Sequence, residues 1–522
     1  MGPIKEFLYK KGELGATRAL REFLGVQKLL ERASGQPKRV CARFDPLCLG
    51  DPSTLACWQS ILHDTTTLRL QTYTEESLGM WPDPNGFSYI NHSVGLVSLR
   101  ASSLFVEALC MPAPSLSSLE IIIPRRTVFW ERMENHIAPV LSDDTLGGTP
   151  ALLRSCHLSG LRLRSVMAPL TTLTSFDYQP DPNFVSPWFI ISTLRKMPCL
   201  ETLGICLRLQ DPEAIAPVMS VLPRAWHQCL NRVALVASGS SWTDRDPEDF
   251  VKLVTLFRHV CANPHVTTAV DLRDSGPHFT SERLRWPRRL VEHPVEIDAT
   301  YELTIFRDER LMVLGCHRTF ARDWVTAGTT TFSTLVRLVI GELRWPEIAA
   351  LSGNIPRLVS LSIILRTSHA RPMAPYLSRE EPNLFMSAAL QPALDCPSLQ
   401  HVELAGDAER GRYWGLQCVL SLTDVCQFVQ TGLRFTSPRL RTLVLSGVSA
   451  TTDPDPVAAF IAFQQLADDV SVREETSHDI RRLNALGEDC HFGRAWAPSH
   501  IFAPEEVANS RASDRFHGLG AS

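Results

Sequence analysis

The sequence predicts an α/β repeat protein, an irregular solenoid with short parallel strands on its concave face and helices on its convex face. Three observations predict it. A leucine phrase, apolar-x-x-apolar-x-apolar, recurs from about residue 65 to about residue 445, and is clean at Leu200-Glu-Thr-Leu203-Gly-Ile205, Leu358-Val-Ser-Leu361-Ser-Ile363 and Leu440-Arg-Thr-Leu443-Val-Leu445. Successive copies start roughly 20 to 40 residues apart, against about 20 to 29 for the leucine-rich repeat, so insertions are expected. Several copies are followed by a capped helix start, which completes the order strand, loop, helix, strand.

The N-terminal residues 1–45 read as a helical segment on Phe7, Leu8, Leu14, Leu20, Phe23, Leu24, Leu29 and Leu30, broken at Gly35-Gln-Pro37. Their basic residues are interleaved with Glu6, Glu13, Glu22 and Glu31, the mixture of a solvated helix face. Such a segment serves a solenoid as the cap that shields its first repeat.

The repeat body is expected over 46–470. Further copies of the phrase are Leu116-Ser-Ser-Leu119-Glu-Ile121, Leu230-Asn-Arg-Val233-Ala-Leu235, Leu335-Val-Arg-Leu338-Val-Ile340 and Leu399-Gln-His-Val402-Glu-Leu404. Less regular ones are Leu153-Arg-Ser-Cys156-His-Leu158, Leu173-Thr-Ser-Phe176-Asp-Tyr178 and Thr300-Tyr-Glu-Leu303-Thr-Ile305. Ser186-Pro187, Asp211-Pro212, Asp246-Pro247 and Asp455-Pro456 each set a capping side chain before a proline, whose missing N–H costs nothing at the first helical position. They predict helices over 188–194, 215–221, 250–260 and 457–466. Loops are read at Trp81–Gly86, Ser238–Ser241, Asp274–Pro277 and Arg371–Pro375, and residues 471–522 read as a polar, partly disordered C-terminal tail.

Composition narrows the function. The chain has 522 residues, 44% hydrophobic and 21% charged, in keeping with a folded protein that has ample core material. A net charge of −4 leaves no electrostatic footprint for nucleic acid or an anionic membrane, so neither is an expected partner. The 14 cysteines are scattered and form no C-x-x-C pair, the usage of a reducing, cytoplasmic or nuclear compartment. No secretory signal or membrane-length apolar run is present in the sequence.

No catalytic motif stands out: there is no G-x-S-x-G, H-E-x-x-H, G-x-x-x-x-G-K-[ST], or G-x-G-x-x-G after a strand. His259, Cys261 and His265 lack a second ligand pair at zinc spacing, and Asp244, Asp246, Glu248 and Asp249 suit a helix N-terminus. No catalytic residue, cofactor or metal is therefore expected. Strand alternation assigns a binding face to the residues between the apolar slots: Thr202 and Gly204, Ser360 and Ser362, His401 and Glu403, Thr442 and Val444. These are mostly small and weakly polar, suited to a protein partner. Trp81, Trp242, Trp324 and Trp345 read either as interface anchors or as core-edge residues.

The phrases "LLRSCHLSGLRLRSVMAPLTTLTSFDY", "STLRKMPCLETLGICL", "CPSLQHVELAG" and "SPRLRTLVLSGV" carry a resemblance. Over about residues 60–470 the chain resembles the F-box-like, leucine-rich-repeat proteins of mushroom-forming fungi. The resemblance implies the substrate-recognition subunit of an SCF-type ubiquitin ligase, a monomer within a complex, docked on a Skp-type adaptor. The family's opening Leu-Pro-x-Glu phrase has no counterpart here. Its closing V-C-x-x-W phrase is matched by Val40, Cys41 and Phe44, the adaptor-docking candidates, with phenylalanine in the tryptophan slot.

Overall fold

In a computed structural model of the chain, the described residues are 39–44, 52–72, 104–123, 139–148, 152–163, 166–180, 184–209, 215–237, 246–263, 266–271, 295–299, 303–307, 311–316, 334–342, 345–349, 355–365, 393–406, 418–450 and 453–474. They form α/β structure with parallel sheets, in two compact units. The first comprises residues 1–236, 252–266 and 495–499, the second the remainder.

Unit 1 contains strands β1 (Arg39–Phe44), β2 (Thr67–Thr72), β3 (Ser118–Ile122), β4 (Val140–Leu141), β5 (Ser155–Leu163), β6 (Ser175–Pro180), β7 (Phe184–Val185), β8 (Thr202–Leu209) and β9 (Arg232–Ala237). The main sheet runs β1-β2-β3-β5-β6-β8, every pair parallel. Asn231 and Arg232 at the start of β9 both donate backbone bonds to Glu201 O. Short β4 and β7 pair with the far ends of β5 and β8.

The leucine phrase explains this register. Leu68, Leu119, Cys156, Phe176 and Leu203 share one register position, and Leu70, Ile121, Leu158, Tyr178 and Ile205 share the next but one. All ten are buried. The leucine that opens each phrase is buried in the turn before its strand. Leu116, Leu173 and Leu200 each donate a backbone bond to the carbonyl three residues earlier, and Leu358 and Leu399 do the same in unit 2.

Helices α1 (Pro52–Asp64), α2 (Pro187–Lys196), α3 (Ile215–Val221) and α4 (Asp246–Val260) complete the element order. Trp58 and Ile61 of α1, Ile190 and Leu194 of α2, Val218 of α3, and Leu253 and Phe257 of α4 are buried with the strand leucines. The helix α2 starts where its cap predicts: Ser186 accepts from Phe189 N at 3.1 Å, with Pro187 at the first helical position. Asp211 and Pro212 lie outside the described residues.

Unit 2 contains β10 (Thr267–Asp271), β11 (Val295–Ala299), β12 (Leu303–Arg307), β13 (Leu311–Cys316), β14 (Leu335–Gly341), β15 (Ser360–Leu365), β16 (Leu394–Asp395), β17 (His401–Gly406), β18 (Cys418–Leu420), β19 (Leu433–Arg434), β20 (Leu440–Ser446), β21 (Val448–Ala450) and β22 (Ala467–Arg473). Its main sheet runs β10-β13-β12-β11-β14-β15-β17-β20-β22. The pairs β16–β19 and β18–β21 stand apart from it. Helices α5 (Trp345–Ala349), α6 (Leu422–Gly432) and α7 (Pro456–Gln464) belong here, with α6 and α7 packed together.

Three expectations are corrected. The Thr300 phrase does not form a parallel repeat strand: its Leu303 begins β12, antiparallel to both β11 and β13. Residues 300–302 and 308–310 are too few for a parallel crossover, which takes about a dozen residues or more. At the N-terminus, 39–44 is extended, so the helical segment does not run to 45, and the sheet begins before 46. At the other end β22 carries it to Arg473, beyond 470. Residues 475–522, read as the tail, otherwise lie outside the described residues.

Candidate functional site

The residues between the apolar slots share a second face of each sheet. In unit 2 the register Arg337↔Ser360↔His401↔Thr442↔Asp469 forms one row across five adjacent strands, and Val339↔Ser362↔Glu403↔Val444↔Ser471 forms the next. Ser360, Ser362, His401, Glu403, Thr442 and Val444 are thus brought together. His401 Nδ1 and Thr442 Oγ1 are hydrogen-bonded at 2.8 Å. Glu403 is clasped from both sides: the Ser446 hydroxyl donates to Oε1 at 2.8 Å and the Ser362 hydroxyl to Oε2 at 3.3 Å. Hydrogen bonds to a carboxylate are the stronger kind, so the glutamate is held in one orientation on the sheet.

Thr202 and Gly204 belong to unit 1 and to a different pair of rows. Thr67, Ser118, Ser155, Ser175 and Thr202 occupy one register position on five adjacent strands, and all are partly exposed. Every member is a hydroxyl residue. The next row is Arg69↔Glu120↔His157↔Asp177↔Gly204. Arg69 Nε meets Glu120 Oε2 at 3.2 Å, and His157 Nδ1 lies 3.6 Å from Glu120 Oε1. Glu120 thereby sits between two potential cations. One position further, the Ser159 hydroxyl donates to Gln179 Oε1 at 2.9 Å.

Of the unit 1 rows, sequence reasoning named Thr202 and Gly204 alone. Thr67, Ser118, Ser155 and Ser175 were missed, although each stands one place before the second apolar slot, as Thr202 does. Slot position was the available signal. It was weakened because Cys156 and Phe176 replace leucine in two of the phrases and Thr67 precedes a truncated one.

The adaptor-docking candidates fall on β1. Val40 pairs with Leu68, Cys41 with Arg69 and Phe44 with Thr72, and Val40 is buried at 5% exposure. Val40 therefore fills the central apolar slot of a strand and is closed to a partner. A short apolar run carries no period by which helix and strand can be told apart, and strand β2 decides the matter.

Three buried cysteines among the described residues are poor nucleophiles. Burial, aided by the Asp177 charge, pushes the Cys156 thiol well up. Burial raises Cys261 to about 12, and burial also takes Cys396 to about 12, partly offset by the Arg434 backbone N–H. A thiol so placed stays protonated and behaves as a small hydrophobe. His259 Nε2 is hydrogen-bonded to the Leu222 carbonyl at 3.1 Å, where it ties α4 to the loop after α3. His265 lies outside the described residues.

Among the described residues there is no group of three or more His, Cys, Asp or Glu placed to hold a metal ion. Among them, too, no helix is long and apolar enough to cross a membrane. Trp345 is buried at the start of α5, edge-on to Phe428 at 5.1 Å, so it is a core residue. Trp81, Trp242 and Trp324 lie outside the described residues.

No protein-family model matches the chain, and no curated protein matches it in sequence. Among solved structures it is similar to the crystal structure of the Rad7 and Elc1 complex in yeast, at 13% sequence identity, with 87% of this chain and 92% of that chain covered. The TM-score is 0.22, a likeness from which neither fold nor function follows.

Proposed function

We propose that this chain is a protein-binding repeat module, without catalytic activity of its own, whose sheet faces hold a protein target. The observation that carries the reading is the row Thr67, Ser118, Ser155, Ser175 and Thr202, small hydroxyls in register on five adjacent strands. Such a row offers directional hydrogen bonds at strand spacing, about 4.8 Å, beside the larger polar side chains of the next row, Arg69, Glu120, His157 and Asp177. Its pre-set geometry limits the ordering cost of binding.

In the finer reading the target is the substrate of an SCF-type ubiquitin ligase. Its support is the resemblance of the repeat phrases to F-box-like receptors. The burial of Val40 in β1 favours a second reading, a scaffold that uses the same faces without a Skp-type adaptor.

The test is affinity capture by the full-length chain from its own host, beside a Ser118→Arg, Ser155→Arg variant. Under the proposal, the variant remains folded by circular dichroism and loses a captured protein that the parent retains. Adaptor recovered equally with both chains supports the ligase reading, and a target without adaptor supports the scaffold. Identical capture by both chains defeats the binding-face assignment.

A further inference from the structure

Strand β22 lies at the end of the unit 2 sheet, and among the described residues it pairs with β20 alone. An open edge presents backbone N–H and C=O groups as a template for another strand. The phase of these groups follows from one bond. Gly447 N donates to Arg473 O at 2.9 Å, so the backbone groups of Arg473 point toward β20. Direction alternates along an extended strand: those of Asp469 and Ser471 point the same way, while those of Val470 and Val472 point out from the edge. An apolar surface lies beside it. Val472 is 61% exposed although its register partner Leu445 is buried, and Val457, Phe460 and Ile461 of α7, which packs on β22, are 70%, 48% and 51% exposed.

We infer that this edge is the interface of a homodimer, in which β22 pairs antiparallel with β22 of a second copy about a twofold axis at Ser471. The stretch Asp469-Val470-Ser471-Val472-Arg473 is complementary to its own reverse. Pairing centred on Ser471 sets Asp469 of each copy opposite Arg473 of the other, the reciprocal contact of an isologous interface, and both residues are exposed. Val470 and Val472 oppose each other in the same register. Theirs are the backbone groups that point outward, so each such pair exchanges two hydrogen bonds. The Asp469–Arg473 pairs then take the non-hydrogen-bonded positions, where opposed side chains stand closest and opposite charges attract. Asp468 falls opposite Glu474, a like-charged pair that ends the ladder there. An axis normal to the sheet keeps both copies of α7 on one face, beside strands about 4.8 Å apart, which brings Phe460 and Ile461 of each copy toward the other. An unrelated strand has no reason to present this order of residues reversed, whereas a second copy does so by symmetry. Asp469 and Ser471 end the two polar rows of unit 2, so in the dimer these rows run on across the axis.

The test measures the mass of the purified full-length chain by light scattering over a concentration series. The expected result is a dimer, twice 58.3 kDa, that dissociates on dilution. Asp469→Arg and Arg473→Asp, each checked for folding by circular dichroism, should raise the dimer dissociation constant about tenfold, since two symmetric pairs change from attraction to repulsion together. The double variant, with the charges exchanged, should restore the parent value. Ser471→Cys gives a second measurement independent of charge: mild oxidation should link residue 471 of the two copies, whose Cα atoms this register holds about 4.5 Å apart, within disulfide reach. A parent that is monomeric throughout the series overturns the inference, as does a dimer indifferent to both single variants, a double variant that stays dissociated, or a dimer without the 471–471 link. Another protein bound at this edge of a monomeric chain overturns it equally.

Discussion

At the scale of single residues, Asp453 shows how much one buried carboxylate can organise. It accepts from the Ser421 hydroxyl at 2.6 Å and from the backbone N–H of Leu422 at 3.0 Å and Thr423 at 3.4 Å, and so caps α6 from a distant position. Burial by itself would raise its pKa, but the bonds from Ser421, Leu422 and Thr423 outweigh it and hold the value below the usual carboxylate range. The stabilisation is therefore present above the unfolded value of about 3.9 and is lost as pH falls through the lower folded value. Asp453→Asn should cost about 1–2 kcal/mol at neutral pH and remove that part of the acid dependence, as urea unfolding at several pH values will show. Gly160 is equally constrained. Its φ is +76°, and an added Cβ would strike the Ile123 carbonyl oxygen and lie 2.8 Å from Ile123 Cβ. Gly160→Ala should therefore destabilise by about 2–4 kcal/mol by the same measure.

At the scale of elements, the caps and the apolar slots were legible because they act over a few residues. Ser186-Pro187 and Asp455-Pro456 each start a helix with the cap bond in place, from Phe189 N and from Ala458 N. Ser186→Ala should cost about 1 kcal/mol, whereas Leu361→Ala, in the central slot of β15, should cost about 3–4 kcal/mol. Thermal unfolding of the two variants checks that ranking. The meander β11–β13 was illegible as a meander because Leu303-Thr-Ile305 fits the phrase, and a phrase records which residues are apolar and leaves strand direction open. The short connectors on either side were the overlooked signal, charged at Asp308-Glu-Arg310.

At the scale of the molecule, each unit is an α/β body in which one apolar phrase, repeated irregularly, sets strand register. The strand β1 belongs to that order, so Val40→Asp should destabilise the fold on the order of 3 kcal/mol, with a lower melting temperature in the absence of any adaptor. An unchanged melting temperature would return Val40 to the docking role. By itself the sequence determined the local matters: which residues are apolar, where α2 and α7 start, and that the residues between the slots share a face. Tertiary structure alone decided which segments are neighbours. Thr67 and Ser118 are 51 residues apart and Ser118 and Ser155 are 37 apart, yet each pair lies on adjacent strands. Strand pairing is non-local, so the hydroxyl row, the clasp on Glu403 and the strand state of Arg39–Phe44 exist only once distant segments meet.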